Sequence, residues 1–281
     1  MNDQQYTVDD LIFLMSQLRN PDGGCPWDLK QSFATIVPST IEEAYEVAEA
    51  IEREDFEHLH EELGDLLFQV IFYAQLGSEQ EKFDFTRIVD TLVRKLVRRH
   101  PHVFPSGSLY GANNTADIDE AEVKRNWEVI KAAEREAKGE GGTLDGVALG
   151  LPALTRAVKL QKRASGVGFD WPDIDGVLAK VEEEIRELRE AIGNKSPEHA
   201  REELGDLLFS CVNVARHLKV DPETALRACN RKFERRFGAV EMALQADGRL
   251  PADATLEELD QLWDQAKASA RGETDKTPPA G

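Results

Sequence analysis

The 281-residue sequence is poor in cysteine, and its three cysteines, Cys25, Cys211 and Cys229, are far apart with no Cys-x-x-Cys pair. This spacing argues against both a disulfide framework and a cysteine zinc site. The sequence also has no uncharged apolar run of about 18 residues, and it does not begin with a basic stretch followed by an apolar block. We therefore expect no membrane span and no export signal, and we expect the reducing cytoplasm as the location.

Positive charge is scarce as well. The 34 Lys and Arg residues face 53 Asp and Glu residues, which gives a formal net charge of −19. Such a chain is a poor duplex nucleic-acid binder, because that binding depends on neutralising phosphates with Lys and Arg. A small phosphorylated ligand is compatible with this charge if divalent cations and a local basic cluster assist. The sequence has neither a GxxxxGK[ST] loop nor a GxGxxG turn, so a nucleotide site here must be built from helices.

The chain contains the same acidic pattern twice. An EExxE segment is followed, after fifteen residues, by ExxD; the two copies are Glu42-Glu43-x-x-Glu46 with Glu62-Leu63-Gly64-Asp65, and Glu183-Glu184-x-x-Glu187 with Glu203-Leu204-Gly205-Asp206. A basic cluster and a tryptophan follow each copy; these are Lys95, Arg98, Arg99 and Trp127, then Lys232, Arg235, Arg236 and Trp263. An internal repeat of this extent indicates two tandem modules.

Apolar residues recur every three or four positions, which predicts helices, and no stretch has the alternation of a strand. The fold class is therefore predicted to be all-α, with two antiparallel helical bundles of about four helices each. Composition places the first module at residues 1–137, a linker at 138–152 and the second module at 153–271. Residues 272–281 have little to bury and are predicted to be disordered.

The acids of each copy are expected to converge. Residues three apart on a helix share one face, so Glu184 pairs with Glu187 and Glu203 with Asp206, and a short connection makes the two helices antiparallel neighbours. Four carboxylates at one place need a hard divalent cation, and oxygen-only ligands favour Mg²⁺ or Mn²⁺ over zinc.

A solvated acidic face is the simpler explanation of one EExxE motif. Two features argue against it here: each ExxD begins an apolar helix, and each of these helices keeps a glycine, Gly64 or Gly205. A glycine inside a helix costs about 1 kcal/mol relative to alanine, so we expect it to allow the close approach of a neighbour or a ligand.

The basic cluster of the second copy has two interpretations. Lys232, Arg235 and Arg236 share little more than one helical turn, and in an acidic protein they could pair with surface glutamates. They could also hold a polyphosphate, because Arg offers a planar fork and Lys a point charge to phosphate oxygens. Trp263 could likewise be a packing aromatic or a stacking platform for a base.

The doubled EExxE and ExxD pattern resembles the all-α nucleoside triphosphate pyrophosphohydrolases, and the tandem arrangement is similar to the bacterial MazG type over nearly residues 1–270. The resemblance implies that the protein hydrolyses a ribo- or deoxyribonucleoside triphosphate to the monophosphate and pyrophosphate. It further implies that the reaction requires Mg²⁺ and that the protein is a homodimer. It also implies that the second copy carries most of the activity.

The resemblance assigns roles to individual residues. The metal ligands would be Glu184, Glu187, Glu203 and Asp206 in the second copy, with Glu43, Glu46, Glu62 and Asp65 as a second candidate site. The nucleotide-binding residues would be Lys180, Glu184, His199, Arg201, Glu202, Asp206, Lys232, Arg235, Arg236 and Trp263. As a hypothesis, Glu183 or Glu184 takes the proton of the attacking water. The first copy keeps the acids but has Ser39 where the second has Lys180.

Three alternatives stay open on the residues alone. One is a related activity on the same bundle, that of phosphoribosyl-ATP pyrophosphohydrolase or dUTPase. Another is a non-catalytic, Mg²⁺-binding assembly or regulatory module. The third, a di-iron carboxylate bundle, is disfavoured because such sites usually supply Glu-x-x-His pairs, and here ExxD stands instead.

Overall fold

The computed structural model describes residues 5–111, 119–137, 139 and 141–274, without the side chains of residue 124, residues 135–137 and residues 270–274. This part of the chain holds ten α-helices, two single-turn 3-10 helices and no strand, so the all-α prediction is confirmed. None of these helices combines the length and apolar content that a membrane span requires. The chain divides into two compact units between Ala132 and Ala133.

The first unit contains the helices α1 to α4 and most of α5; the bounds of these five helices are Val8–Leu18, Phe33–Glu52, Phe56–Glu79, Phe85–Arg99 and Glu120–Ala137. Helices α2 and α3 form the main pair, joined by three residues, and Asp55 caps α3 by accepting a hydrogen bond from the backbone N–H of His58. Helix α1 packs on α3. The core between them consists of Met15, Ile36, Ile71, Phe72 and Leu76, all at most 2% exposed.

The second unit repeats this plan with the helices α6 to α10; their bounds are Ala153–Ser165, Ile174–Gly193, Pro197–His217, Pro222–Ala246 and Leu256–Thr274. Helices α7 and α8 are the counterparts of α2 and α3, and α6 packs on α8 as α1 does on α3. Proline stands in the first turn of α8 and α9, where its missing N–H is not needed. Helix α9 packs chiefly on α10.

Each unit has five α-helices where the sequence predicted about four. The short helices α1 and α6, of 11 and 13 residues, precede the acidic repeat and complete the packing on α3 and α8. The division between the units falls within α5, and the domain limits of 1–137, 138–152 and 153–271 stay predictions. Of the tail, residues 272–274 belong to α10, and residues 275–281 lie outside the described part of the chain.

Candidate active site

Three of the four acids proposed for the second unit lie close together. Glu184 and Glu187 on α7 and Glu203 on α8 each offer a carboxylate oxygen within 4.8 Å of the other two. Glu184 is 4% exposed and Glu203 is 8% exposed, so both carboxylates are held away from bulk water. Asp206 lies outside this group of three but lines the same cavity, whose volume is about 390 Å³. Burying three carboxylates together is favourable only with a compensating cation.

Lys180 supplies positive charge at this cluster. Its Nζ lies 2.7 Å from Glu184 Oε1 and 3.0 Å from Glu183 Oε1, one turn away on the same face of α7. These hydrogen bonds raise the pKa of Lys180 above its ordinary value, so the ammonium stays charged. Glu183 is half-exposed beside the cluster and does not belong to the converging group. Lys180, which was predicted to contact a phosphate, therefore lies at the cavity and forms ion pairs with two acids.

The first unit has its own acidic cluster, in which Asp65 takes part and the predicted ligand Glu46 does not, and Ser39 stands at the position of Lys180. Oxygens of Glu43, Glu62 and Asp65 lie within 4.8 Å of one another. The pKa of Glu43 is raised, first by burial and then by the negative charges of Asp65, Glu46 and Glu62. The pKa of Glu62 is raised by burial and by Glu46. Both clusters consist of carboxylates alone and have the geometry to hold a metal ion.

A histidine precedes each buried glutamate of the ExxD motif by one turn. His199 Nε2 lies 2.8 Å from Glu203 Oε1, and His58 Nε2 lies 3.0 Å from Glu62 Oε1. His199 was predicted to border the nucleotide, and the structure places it against a ligand candidate instead of in the lining of the cavity. The neighbours Arg201 and Glu202 are exposed on α8, outside that lining.

The basic cluster of α9 does not reach the acidic cavity within the second unit. Lys232 and Arg235 are exposed, and Arg236 lies with its guanidinium carbon 5.9 Å from the ring centre of Trp263. Trp263 in turn contacts Phe233 at a centroid distance of 5.2 Å. None of these residues lines the cavity. The structure thus brings together the acids and Lys180, and it places the predicted basic cluster and Trp263 on the α9–α10 pair.

The two helix glycines have no close neighbour in the described chain. A Cβ built at Gly64 or at Gly205 meets no atom within 4 Å. No described part of the chain therefore makes the close approach at either glycine, and the expected approach of a ligand stays a prediction. The space beside each glycine is open to a ligand or to a second copy of the chain.

Sequence reasoning missed part of the lining of this cavity. Five residues form it, and they are Trp171, Val177, Phe209, Ser210 and Asn213. A signal for two of them existed, since Ser210 and Asn213 follow Asp206 at intervals of four and three and so continue its face of α8. Trp171 reaches the cavity because Gly176 leaves room for its ring, where any Cβ would overlap it.

Comparison with known proteins agrees with this architecture. The family model of the MazG nucleotide pyrophosphohydrolase domain matches the chain twice, at residues 31–104 and 174–240. The first match contains α2 and α3, and the second contains α7 and α8. Each match therefore includes one complete acidic cluster.

Full-length relatives share both copies. A nucleoside triphosphate pyrophosphohydrolase of Escherichia coli K12 is 48% identical over 264 residues, which are 92% of this chain and 97% of the relative. The nucleoside triphosphate pyrophosphohydrolase/pyrophosphatase MazG of Thermotoga maritima is 42% identical over 95% of this chain and 98% of its own length. The protein YabN of Bacillus subtilis is 43% identical over 92% of this chain but only 51% of its own length. On the doubled domain match and these relatives, the chain belongs to the MazG nucleotide pyrophosphohydrolase family.

Proposed function

We propose that this protein is a metal-dependent nucleoside triphosphate pyrophosphohydrolase, which converts a nucleoside triphosphate and water to the monophosphate and pyrophosphate. The observation that carries the proposal is the cavity of the second unit, where three carboxylates converge beside Lys180. The activity named for the Escherichia coli and Thermotoga maritima relatives supports it.

The donor set fits Mg²⁺ or Mn²⁺. Carboxylate oxygens are the ligands that hard cations prefer. Zinc would favour Cys or His ligands, and no described Cys or His belongs to the converging groups. We assign Glu184, Glu187 and Glu203 as direct ligands, with Asp206 completing the site from the same cavity. A bound divalent ion would lower the pKa of a water and neutralise charge on the phosphate oxygens.

Glu183 is the better of the two candidate bases. Glu184 belongs to the converging group and is needed as a ligand, whereas Glu183 is half-exposed at its edge. A carboxylate that is not committed to the cation is free to take the proton of a water attacking the α-phosphorus. The hydrogen bond from Lys180 holds Glu183 near the cavity until substrate arrives.

Lys180 exchanges its partner in this scheme. Without a cation its ammonium balances Glu184, and once a divalent ion balances the acids, the ammonium is available to a phosphate oxygen. The lysine therefore reduces the repulsion among the carboxylates when no cation is bound, and it contributes to binding of the triphosphate when one is. Ser39 cannot do either in the first unit.

We further propose that the protein acts as a homodimer. The phosphate-binding cluster on α9 does not meet the cavity of its own unit, so its predicted role requires a second copy or a rearrangement. An apolar stripe on α8 supports pairing: Leu204 is 48% exposed and Leu208 is 52% exposed, with the open side of Gly205 beside them. Broad acceptance of bases and a cytoplasmic location complete the proposal.

The function is tested by pyrophosphate release from a panel of ribo- and deoxyribonucleoside triphosphates that includes dUTP, and from phosphoribosyl-ATP, with Mg²⁺ and with EDTA. We expect release from the triphosphates only with metal. Glu187→Gln should lower turnover about 100-fold or more. Even mutating a residue that only hydrogen-bonds to a metal ligand typically lowers metal affinity or activity about 10–100-fold. Glu190→Gln, an exposed position on the same helix, is the control. Thermal stabilisation by Mg²⁺ without any turnover would instead identify a non-catalytic metal-binding module.

A further inference from the structure

The cavity of the second unit has two walls of different chemistry, and the proposed function uses only one of them. The acids and Lys180 form one wall, and Trp171, Phe209, Ser210 and Asn213 belong to the other. Helix α8 contributes to both, because Asp206 and Asn213 are seven residues apart and lie on one face. Seven residues span about 10 Å of helix. This is comparable to the reach of a nucleotide from its α-phosphate to its base.

Asn213 presents a buried amide whose orientation is fixed. It is 6% exposed, and its Oδ1 accepts hydrogen bonds from Arg216 Nε at 2.9 Å and from Arg216 Nη2 at 2.7 Å. Because a guanidinium only donates, the amide oxygen must face Arg216. The NH₂ group is then the side left over, and no hydrogen bond from it to another described residue is present. Asn213 belongs to the lining of the cavity, where a ligand can accept a hydrogen bond from this NH₂ group.

The same arginine anchors the tryptophan of this wall. Arg216 Nη1 donates to Asp170 Oδ2 at 2.9 Å, and His217 Nε2 lies 3.2 Å from Asp170 Oδ1. Asp170 Oδ1 also accepts a hydrogen bond from the backbone N–H of Trp171 at 2.9 Å. A single network thus fixes the amide and the loop that carries the indole ring. Arg216 is a positioning residue for both.

We infer that Trp171 and Asn213 form the nucleobase subsite of the second unit. The inference rests on the proposed function and deepens it by naming the part of the substrate that this wall binds. The indole flanks the base, and the Asn213 NH₂ donates to a carbonyl or ring-nitrogen acceptor on its edge. Every natural nucleobase carries such an acceptor. One fixed donor can therefore bind any of the bases without selecting strongly among them.

The first unit lacks the amide of this wall and the arginine that fixes it. Phe72 stands at the repeat position of Asn213, and it is 1% exposed within the hydrophobic core. Gln75 stands at the position of Arg216. The acidic cluster is thus duplicated, whereas the amide and its arginine belong to the second unit alone among these paired positions.

The test measures the affinity of the full-length protein, with Mg²⁺, for two probes by calorimetry. One is α,β-imido-UTP, which keeps the base, and the other is inorganic tripolyphosphate, which has none. In the wild type we expect the nucleotide to bind more tightly. Asn213→Leu should raise the Kd of the nucleotide about tenfold and leave the Kd of tripolyphosphate unchanged, because only the base loses a hydrogen bond.

Asn213→Ser, which is too short to reach the base, provides a second variant in case leucine disturbs packing, and Asn194→Ser at the exposed end of α7 is the control. The inference would be overturned if Asn213→Leu weakened the binding of both probes equally or of neither. It would also be overturned if the wild type bound the nucleotide no more tightly than tripolyphosphate. Turnover of UTP is measured in parallel. Its absence alongside the expected difference in affinity would overturn the proposed function and leave the base subsite in place.

Discussion

In the second unit, the ammonium of Lys180 lies 2.7 Å from a carboxylate oxygen of Glu184, which is one of the three converging acids. The first unit has Ser39 at the position of this lysine. The two clusters therefore have similar ligands but different charge compensation, and the pKa of Glu43 is raised where no lysine is present. We therefore expect the two acidic clusters to respond differently to removal of the metal and to pH.

Lys180→Met should lower kcat/KM for a nucleoside triphosphate about 10- to 100-fold, the range for losing a charge-assisted hydrogen bond to phosphate. It should also lower the Tm measured in EDTA, because Glu184 loses its counter-charge, and Mg²⁺ should restore much of that loss. Steady-state kinetics and thermal melts with and without Mg²⁺ check both. The exposed Lys159→Met is the matched control. Unchanged kinetics in Lys180→Met would remove the lysine from the proposed mechanism.

Ser39→Lys should give the first cluster the compensation that it lacks. In the metal-free wild type, the pKa of Glu43 lies above its ordinary value of 4.5, so the folded state holds its proton more tightly than the unfolded state. Its contribution to stability is therefore present at low pH and lost as the pH rises from about 4.5 through the raised pKa. The lysine should reduce that loss. The measurement is Tm against pH in EDTA, and identical slopes in the two proteins would contradict the expectation.

Arg216→Gln should disturb the base subsite without disturbing the metal site. The variant loses the ion pair to Asp170 and one support of the Asn213 amide. We expect KM for a nucleoside triphosphate to rise about fivefold to tenfold through poorer positioning, with a smaller change in kcat. The pKa of Asp170 is lowered chiefly by Arg216, so the stability from this pair is present above about pH 4 and is lost as the pH falls through the lowered pKa.

Mixing two inactive variants tests whether the basic cluster acts on the cavity of a partner copy. Glu187→Gln removes a ligand, and Arg235→Ala removes an exposed cation of α9. If the two groups meet across a dimer, co-refolded protein should regain part of the wild-type turnover, because one site of each mixed dimer is intact. Recovery no greater than the sum of the separate variants would place both groups in one chain.

Leu208→Glu should weaken the dimer and lower turnover, since it puts a charge on the exposed apolar stripe of α8. Light scattering gives the mass of the particle, and the control is Ile192→Glu, which is 61% exposed near the end of α7. A Leu208→Glu variant that keeps both the wild-type mass and activity would exclude this face as the interface.

Much of the acidic centre could be predicted because its geometry is local. Glu184 and Glu187 share a face through the helical period, and the short turn between α7 and α8 brings Glu203 opposite them. The same reasoning applied to Lys180, although its pairing with two acids depends on side-chain conformation. Asn213 was missed, although its spacing places it on the same face of α8 as Asp206, because that spacing does not show that Arg216 fixes its amide.

The sequence by itself determined the helical class, the duplication and the convergence of the carboxylates, since each follows from residue spacing along one or two adjacent helices. Only the tertiary structure decided that Arg216 joins Asn213 to Asp170, and that the basic cluster of α9 packs beside Trp263 rather than at the cavity. Contacts between residues distant along the chain depend on how the helices pack against one another, and the period of a single helix carries no information about that packing.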